Sequence, residues 1–303
     1  MVALRLVHRT AYSYRLPVLF NPHRMLLRPR ESRDLRLLSM RLEVSPQAQL
    51  AWAEDVAGNV VATATFGAAG DRLVIESVAE IELDPVPWPV FDIAASAASW
   101  PFRYDDDDWT DLGALAAPQH PDPAGRLRDW ARAFVLGERT DTLSLLKDLN
   151  AGIASGIAYE AREDEGTQAP LRTLELGRAS CRDLAVLFAE AVRALGFGAR
   201  IVSGYLHDPA GTLRGSADTG ATHAWAEVYV PGAGWIAFDP TNGGVGAANL
   251  VPVAVGRDIG RVMPVSGSFA GPADALAGMQ VDVSLEARAH PPPAADGAAA
   301  ALP

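Results

Sequence analysis

The 303-residue chain carries 26 lysines and arginines against 37 aspartates and glutamates, a formal net charge of −11. That balance excludes general binding to nucleic acid or to an anionic membrane surface, and 49% apolar with 21% charged residues is a globular composition. At this length two domains are expected rather than one, and no apolar run approaches the roughly 18–20 residues needed to cross a bilayer. The single cysteine cannot close an internal disulfide, so nothing calls for an oxidising compartment and the cytoplasm is the expected location.

The opening segment Val2-Ala3-Leu4-Arg5-Leu6-Val7 reads as a strand, because it lacks the long apolar core and cleavage site of a leader. Strand-forming residues recur at 41–44, 60–66 and 73–78, separated by turn signals at 55–59 and 67–71. Short strands at this spacing predict a β-sandwich. Arg24, Arg28, Arg30, Arg33 and Arg36 fall in this region and are expected to pair with carboxylates. Residues 85–123, rich in Pro, Asp and Trp, read as a long connection. The run Asp105-Asp106-Asp107-Asp108 lacks the spaced oxygens and glycine of a calcium loop and is expected to be a solvated loop.

Helical periodicity begins near Ala124. Leu127, Trp130, Ala131, Phe134 and Val135 share one face, and Leu143, Leu146, Leu149 and Ile153 define a second helix. Residues 181–195 follow, with Leu184, Leu187, Phe188, Ala191 and Leu195 on one stripe and Gly196 placed as a C-terminal cap. Strands are predicted at about 198–206, 223–230 and 235–239, and 278–285 alternates like one more. Beyond His290 the Pro, Ala and Gly content predicts disorder.

Ser180 precedes the 181–195 helix and Asp183 lies three residues on, the spacing of a capping box, which puts Cys181 at the first helical position. There the sulfur lies beside unsatisfied backbone N–H groups and the positive end of the helix dipole, which favours the thiolate. A structural cysteine would sit within the apolar stripe, and Cys181 stands at its end. His223 opens an alternating strand, residues 231–234 form a hairpin turn, and Asp239 ends the return strand before Pro240. Register decides whether the two can meet. A four-residue loop pairs Val230 with Trp235 and puts them on opposite faces. A three-residue loop with a glycine bulge pairs Val230 with Gly234 and sets Asp239 diagonal to His223, within side-chain reach. Thiol, imidazole and carboxylate point to nucleophile, base and orienting group.

The segment Gly177-Arg178-Ala179-Ser180-Cys181-Arg182-Asp183-Leu184-Ala185 resembles the nucleophile motif of the transglutaminase-like superfamily, with Ala179 where members commonly have glycine. His223-Ala224-Trp225-Ala226-Glu227-Val228-Tyr229 is similar to its histidine motif, and Gly234-Trp235 through Asp239-Pro240-Thr241-Asn242 to its aspartate motif. Regions 12–46 and 55–59, and the stretch after Asn249, resemble bacterial members. The resemblance implies an α+β chain in which an N-terminal β-sandwich precedes a papain-like core of helices packed on an antiparallel sheet. The corresponding divisions are 1–100 for the sandwich, 101–123 for a connection, 124–289 for the core with its C-terminal strand, and 290–303 for a disordered tail. It also implies Cys181 as nucleophile, His223 as base and Asp239 as its partner, acting through a thioester on an amide or glutamine carbonyl of a peptide or protein. Hydrolysis by a cysteine peptidase or amidase is the expected outcome, with amine transfer (crosslinking) or a non-catalytic binding module as alternatives. The oxyanion donors expected are the Cys181 backbone N–H and Tyr159. No residue pair has metal-ligand spacing, so neither metal nor cofactor is expected.

Overall fold

The structure is a computed structural model that describes residues 1–84, 89–162, 166–216 and 220–288; the expected disordered tail lies outside the described residues. β1 (Val2–Phe20) buries Leu4, Leu6, His8 and Thr10 on one face and leaves the intervening residues half-exposed, the period-two pattern of a strand with one covered face. β2 (His23–Met25), β3 (Leu35–Ser45), β4 (Ala48–Glu54), β5 (Val60–Phe66) and β6 (Ala69–Leu83) follow. β1, β6 and β3 form one antiparallel sheet, and β2, β5 and β4 a second. Tyr14, Leu73 and Ile75 of the first meet Met25, Ala62 and Ala64 of the second in an apolar cluster, which makes the sandwich. Four of the five clustered arginines pair with carboxylates: Arg24 with Asp55 (2.9 Å), Arg28 with Glu31 (3.5 Å), Arg33 with Asp34 (3.1 Å) and Arg36 with Glu82 (2.9 Å). Arg30 instead donates to Asn59 Oδ1 at 2.7 Å and to the Gly58 carbonyl at 2.9 Å.

The connection holds more regular structure than its composition predicts. After β7 (Ser99–Trp100), the acidic run expected to be a loop starts a helix, α1 (Asp106–Leu112). Asp105 is its N-cap and accepts from the Asp108 N–H at 2.7 Å. Aspartates at a helix start complement the dipole, so a run that reads as solvated also reads as a helix beginning. Next come α2 (Arg126–Arg132), β8 (Thr140–Asp141), α3 (Thr142–Gly156), β9 (Ala158–Tyr159), α4 (Pro170–Leu176), β10 (Arg178–Ala179) and α5 (Cys181–Ala194).

α5 is the centre of the core. Residues 183–193 are all buried, and a helix covered on every side must have packed partners all round. Ile201, Ala226, Val228, Ile236 and Phe238 reach it from an antiparallel sheet, while Leu127, Leu145 and Leu149 reach it from α2 and α3. That sheet has the order β14 (Gly244–Val245), β13 (Gly234–Asp239), β12 (Gly220–Val230), β11 (Gly198–His207), β15 (Leu250–Gly256). Two charged residues on α5 are buried as a pair: Arg193 donates to Glu190 at 2.7 Å and to the Leu115, Ala199 and Arg257 carbonyls. Gly196 (φ 94°) ends the helix, with the Phe197 N–H returning to the Val192 carbonyl at 3.0 Å.

The chain then returns to the sandwich through β16 (Val265–Ser266), β17 (Phe269–Ala270) and β18 (Leu276–Arg288). The C-terminal strand expected to belong to the core runs instead along β1, from Ala3 opposite Arg288 to Tyr14 opposite Leu276. Its alternation identified a strand; its partner was set by the free edge of β1. The two regions also share one hydrophobic core, since Leu4, Leu6, Ala79, Ile81 and Leu285 join the cluster built on α5. At the junction the Tyr205 hydroxyl meets His8 Nδ1 at 3.1 Å, and His8 Nε2 meets Thr10 Oγ1 at 2.8 Å.

Candidate active site

Cys181 is the first residue of α5, and the chain before it is fixed from three sides. β10 pairs in parallel with β9, setting Ala179 opposite Tyr159. Ala179 is buried in this extended segment, so its Cβ is accommodated there. Asp183 turns back on the helix start: its Oδ2 accepts from the Ser180 N–H at 2.9 Å and the Ser180 hydroxyl at 2.8 Å. Its Oδ1 accepts from Arg162 Nη2 and the Gln168 N–H, both at 2.7 Å. A fully buried carboxylate with four donors ties the helix N-terminus to Arg162 and to the Gln168 N–H beside it.

The hairpin adopts the register that brings His223 toward Asp239. Val230 pairs with Gly234 and Ala226 with Phe238 around a three-residue loop, and Gly234 takes φ 72°, which a bulge at that position requires. His223 Nε2 lies 3.0 Å from Asp239 Oδ2, and both residues are buried. Asp239 is further held by the Thr241 N–H at 2.9 Å and by Asn242 Nδ2 at 2.9 Å. The indole of Trp225 stacks beside the His223 ring, with centroids 6.2 Å apart. On β11, Gly204 sits opposite His223, and a Cβ there would collide with the Val251 carbonyl and the Trp225 ring. His223 Nδ1 makes no hydrogen bond of regular geometry. The Cys181 thiol interacts with the ring more loosely, by a hydrogen-bonding contact and by charge. Such contacts are often long in unliganded thiol sites.

Electrostatics set the protonation of this trio. Burial pushes the Cys181 thiol up, but its contact with His223, the Ala224 backbone N–H and the charge of Arg182 together bring it below its ordinary value. Burial pushes His223 down, and the charge and hydrogen bond of Asp239, with Cys181 behind them, raise it to about 10. Asp239 is pushed up by burial and held down overall by His223, Asn242 and Thr241. A lowered thiol beside a raised imidazole favours the thiolate–imidazolium pair at neutral pH. Tyr159, half-buried on β9, is raised to about 12 by burial first and then by the charge of Cys181, so its hydroxyl stays a donor. Among the described residues no cluster of three or more His, Cys, Asp or Glu side chains could hold a metal.

All four residues singled out in the sequence thus lie in one neighbourhood. Sequence reasoning passed over Asn242, whose Oδ1 accepts from the Arg214 N–H at 2.8 Å, and Arg214, whose Nη1 donates to the Ala154 carbonyl at 2.8 Å. Asn242 stands in the aspartate motif, which is the signal that could have drawn attention to it; Arg214 gave none.

A cysteine at the start of a buried helix, with a His–Asp pair on an antiparallel sheet packed against that helix, is the layout of a papain-like α+β core, here preceded by a β-sandwich. Residues 128–240 match the core of the transglutaminase-like superfamily, and residues 4–82 match the bacterial transglutaminase-like N-terminal region. Uncharacterized protein ML0607 of Mycobacterium leprae (strain TN) is 26% identical over 279 residues, covering 89% of this chain and 94% of its own length. Uncharacterized protein Rv2569c of Mycobacterium tuberculosis (strain H37Rv) is 28% identical over 273 residues, with 87% and 86% covered. A crystal structure of a Cytophaga hutchinsonii protein proposed to be a cysteine protease superimposes with a TM-score of 0.70, over 96% of this chain and 93% of that one. At 18% identity that likeness speaks for the fold alone.

Proposed function

We propose that the protein cleaves amide bonds of peptides or proteins through a thioester on Cys181, with water as the acyl acceptor. The observation that carries this reading is the His223 ring, held through Nε2 on Asp239 at 3.0 Å while Nδ1 is left for the thiol at the start of α5. In this scheme the Cys181 thiolate attacks the scissile carbonyl carbon. The developing oxyanion takes hydrogen bonds from the Cys181 backbone N–H and the Tyr159 hydroxyl. His223 gives its Nδ1 proton to the departing amine, and the C–N bond breaks to leave the thioester. Neutral His223 then takes a proton from water as the water oxygen attacks the acyl carbon, which releases the carboxylic acid and restores the ion pair. Asp239 keeps the ring oriented and its charged form stable throughout.

Hydrolysis is favoured over amine transfer because water at about 55 M is the default acceptor, and a transferase must exclude it. The test is a panel of amide substrates assayed beside incorporation of a labelled primary amine into a glutamine-containing protein. Amide cleavage should exceed incorporation, and Cys181→Ala should abolish both. Amine incorporation with little cleavage would assign transfer instead. Failure of native Cys181 to react with iodoacetamide would assign a non-catalytic role.

A further inference from the structure

Residues 208–216, which follow β11, form a wall beside the candidate site. Asn242 holds it there, because one side-chain amide bonds both the Arg214 N–H (2.8 Å) and Asp239 Oδ2 (2.9 Å). Tyr159 also meets this segment: a Cβ built on Gly215 would lie 2.9 Å from the Tyr159 hydroxyl. The same tyrosine is close enough to Cys181 and Asp239 to feel the charge of both. Against this wall is a cavity of about 490 Å³, bounded by residues 154–156 at the end of α3, by Tyr159, by Gly177 and by Arg214. Gly177 immediately precedes β10, the strand that leads into Cys181. The cavity is thus of ligand size and adjoins the thiol through Tyr159.

Among the described residues, Arg214 is the one charged side chain that lines it. Its Nη1 is anchored on the Ala154 carbonyl, while Nε and Nη2 have no partner among the described residues. Among the described residues no carboxylate lines the cavity to neutralise it, although acidic residues outnumber basic ones in the chain as a whole. A guanidinium fixed at one nitrogen and open at the others presents a planar fork that matches a carboxylate.

Resting on the reading of Cys181 as a nucleophile, we propose that this cavity is a substrate subsite in which Arg214 selects acyl donors carrying a carboxylate close to the scissile amide. An acidic side chain or a free α-carboxylate supplies the same chemistry, and the experiment separates them. Three probes that differ only in charge are bromoacetyl-glutamine amide, bromoacetyl-glutamate amide and bromoacetyl-glutamine free acid. In each, the Cys181 thiolate forms a bond to the methylene carbon as bromide leaves, and intact-protein mass spectrometry reads the rate. One of the two anionic probes should outpace the neutral one by up to about fivefold, the discrimination of a solvent-accessible ion pair; whichever gains identifies the source of the carboxylate. Arg214→Ala should erase the preference and Arg214→Glu should invert it. Equal rates in the wild type, a preference that survives Arg214→Glu, or exclusion of all three probes from a thiol that iodoacetamide labels would overturn the subsite. A native Cys181 that iodoacetamide fails to label would instead overturn the nucleophile reading on which the subsite rests.

Discussion

Replacing Asp239 by asparagine keeps its size and burial and removes the charge that outweighs desolvation of His223. With nitrogen and oxygen 3.0 Å apart, the charge centres of the pair stand roughly 4 Å from each other. At an effective dielectric of about 20 that interaction amounts to about 4 kcal/mol, equivalent to about three pH units of imidazolium stability. The asparagine oxygen can still accept from Nε2–H, so three units is the ceiling and about one unit the floor. The sign is fixed by burial, which already pushes His223 down and the Cys181 thiol up. Without Asp239, His223 falls from about 10 toward its ordinary value, and the thiol rises as its counter-charge is lost. The range of pH over which thiolate and imidazolium coexist therefore closes from both ends. The assay is the rate of iodoacetamide alkylation of Cys181 between about pH 5 and 10. In the wild type the acid limb should lie below the ordinary thiol range of about 8.5, and in Asp239→Asn it should move up as the imidazolium is lost. Stability shifts with it. The raised His223 contributes fully below about pH 6.5 and loses that contribution as pH rises through about 10; the lowered Asp239 contributes above about pH 4 and loses it in acid. Asp239→Asn should therefore also lower the urea midpoint at pH 7. An acid limb unmoved by Asp239→Asn would refute the electrostatic account of the site.

Asn242→Ala removes one of three groups bonded to the Asp239 carboxylate, so the acid limb should move in the same direction by about one unit or less, measured by the same alkylation series. Gly204→Ala pushes a methyl group onto the Val251 carbonyl and the Trp225 ring, and should cost about 1–3 kcal/mol in denaturant unfolding while slowing alkylation through displacement of His223. His8, which faces only Thr10 Oγ1 and the Tyr205 hydroxyl through its ring nitrogens, is lowered to about 4 by burial. The unfolded chain therefore takes up the proton first, and stability should fall as pH drops from about 6.5 to about 4, by about 3 kcal/mol; His8→Phe should flatten that part of the urea-midpoint profile.

The parts of the fold legible in the sequence were those fixed by local periodicity and by end signals. α5 combined an apolar stripe, a Ser–Asp start and a glycine stop, and each of these features is present in the structure. α4 went unread because seven residues beginning at Pro170 give too few turns to show a period. The hairpin reduced to two registers, and neighbouring glycines at 232 and 234 left the choice open; packing settled it in favour of the bulge at Gly234. Contacts between distant segments had no local trace. Nothing near Arg214 announces its bond to Asn242, 28 positions away, and nothing in the alternation of β18 names β1 as its partner. The acidic run at 105–108 shows the converse, a composition compatible with two local structures, one of which capping selected.

The pairing of β1 with β18 also orders events during synthesis. When a ribosome has released residue 242, Cys181, His223, Asp239 and Asn242 are all available, yet one edge of β1 remains open until residues 276–288 emerge. Leu285, from that late segment, belongs to the same apolar cluster as the helix that carries the thiol. Closing a sheet between residues more than 250 positions apart is slow, because so long a loop must be ordered before any contact rewards it. The nascent chain thus carries these four side chains before β18 closes the edge of β1 and Leu285 completes the apolar cluster around α5.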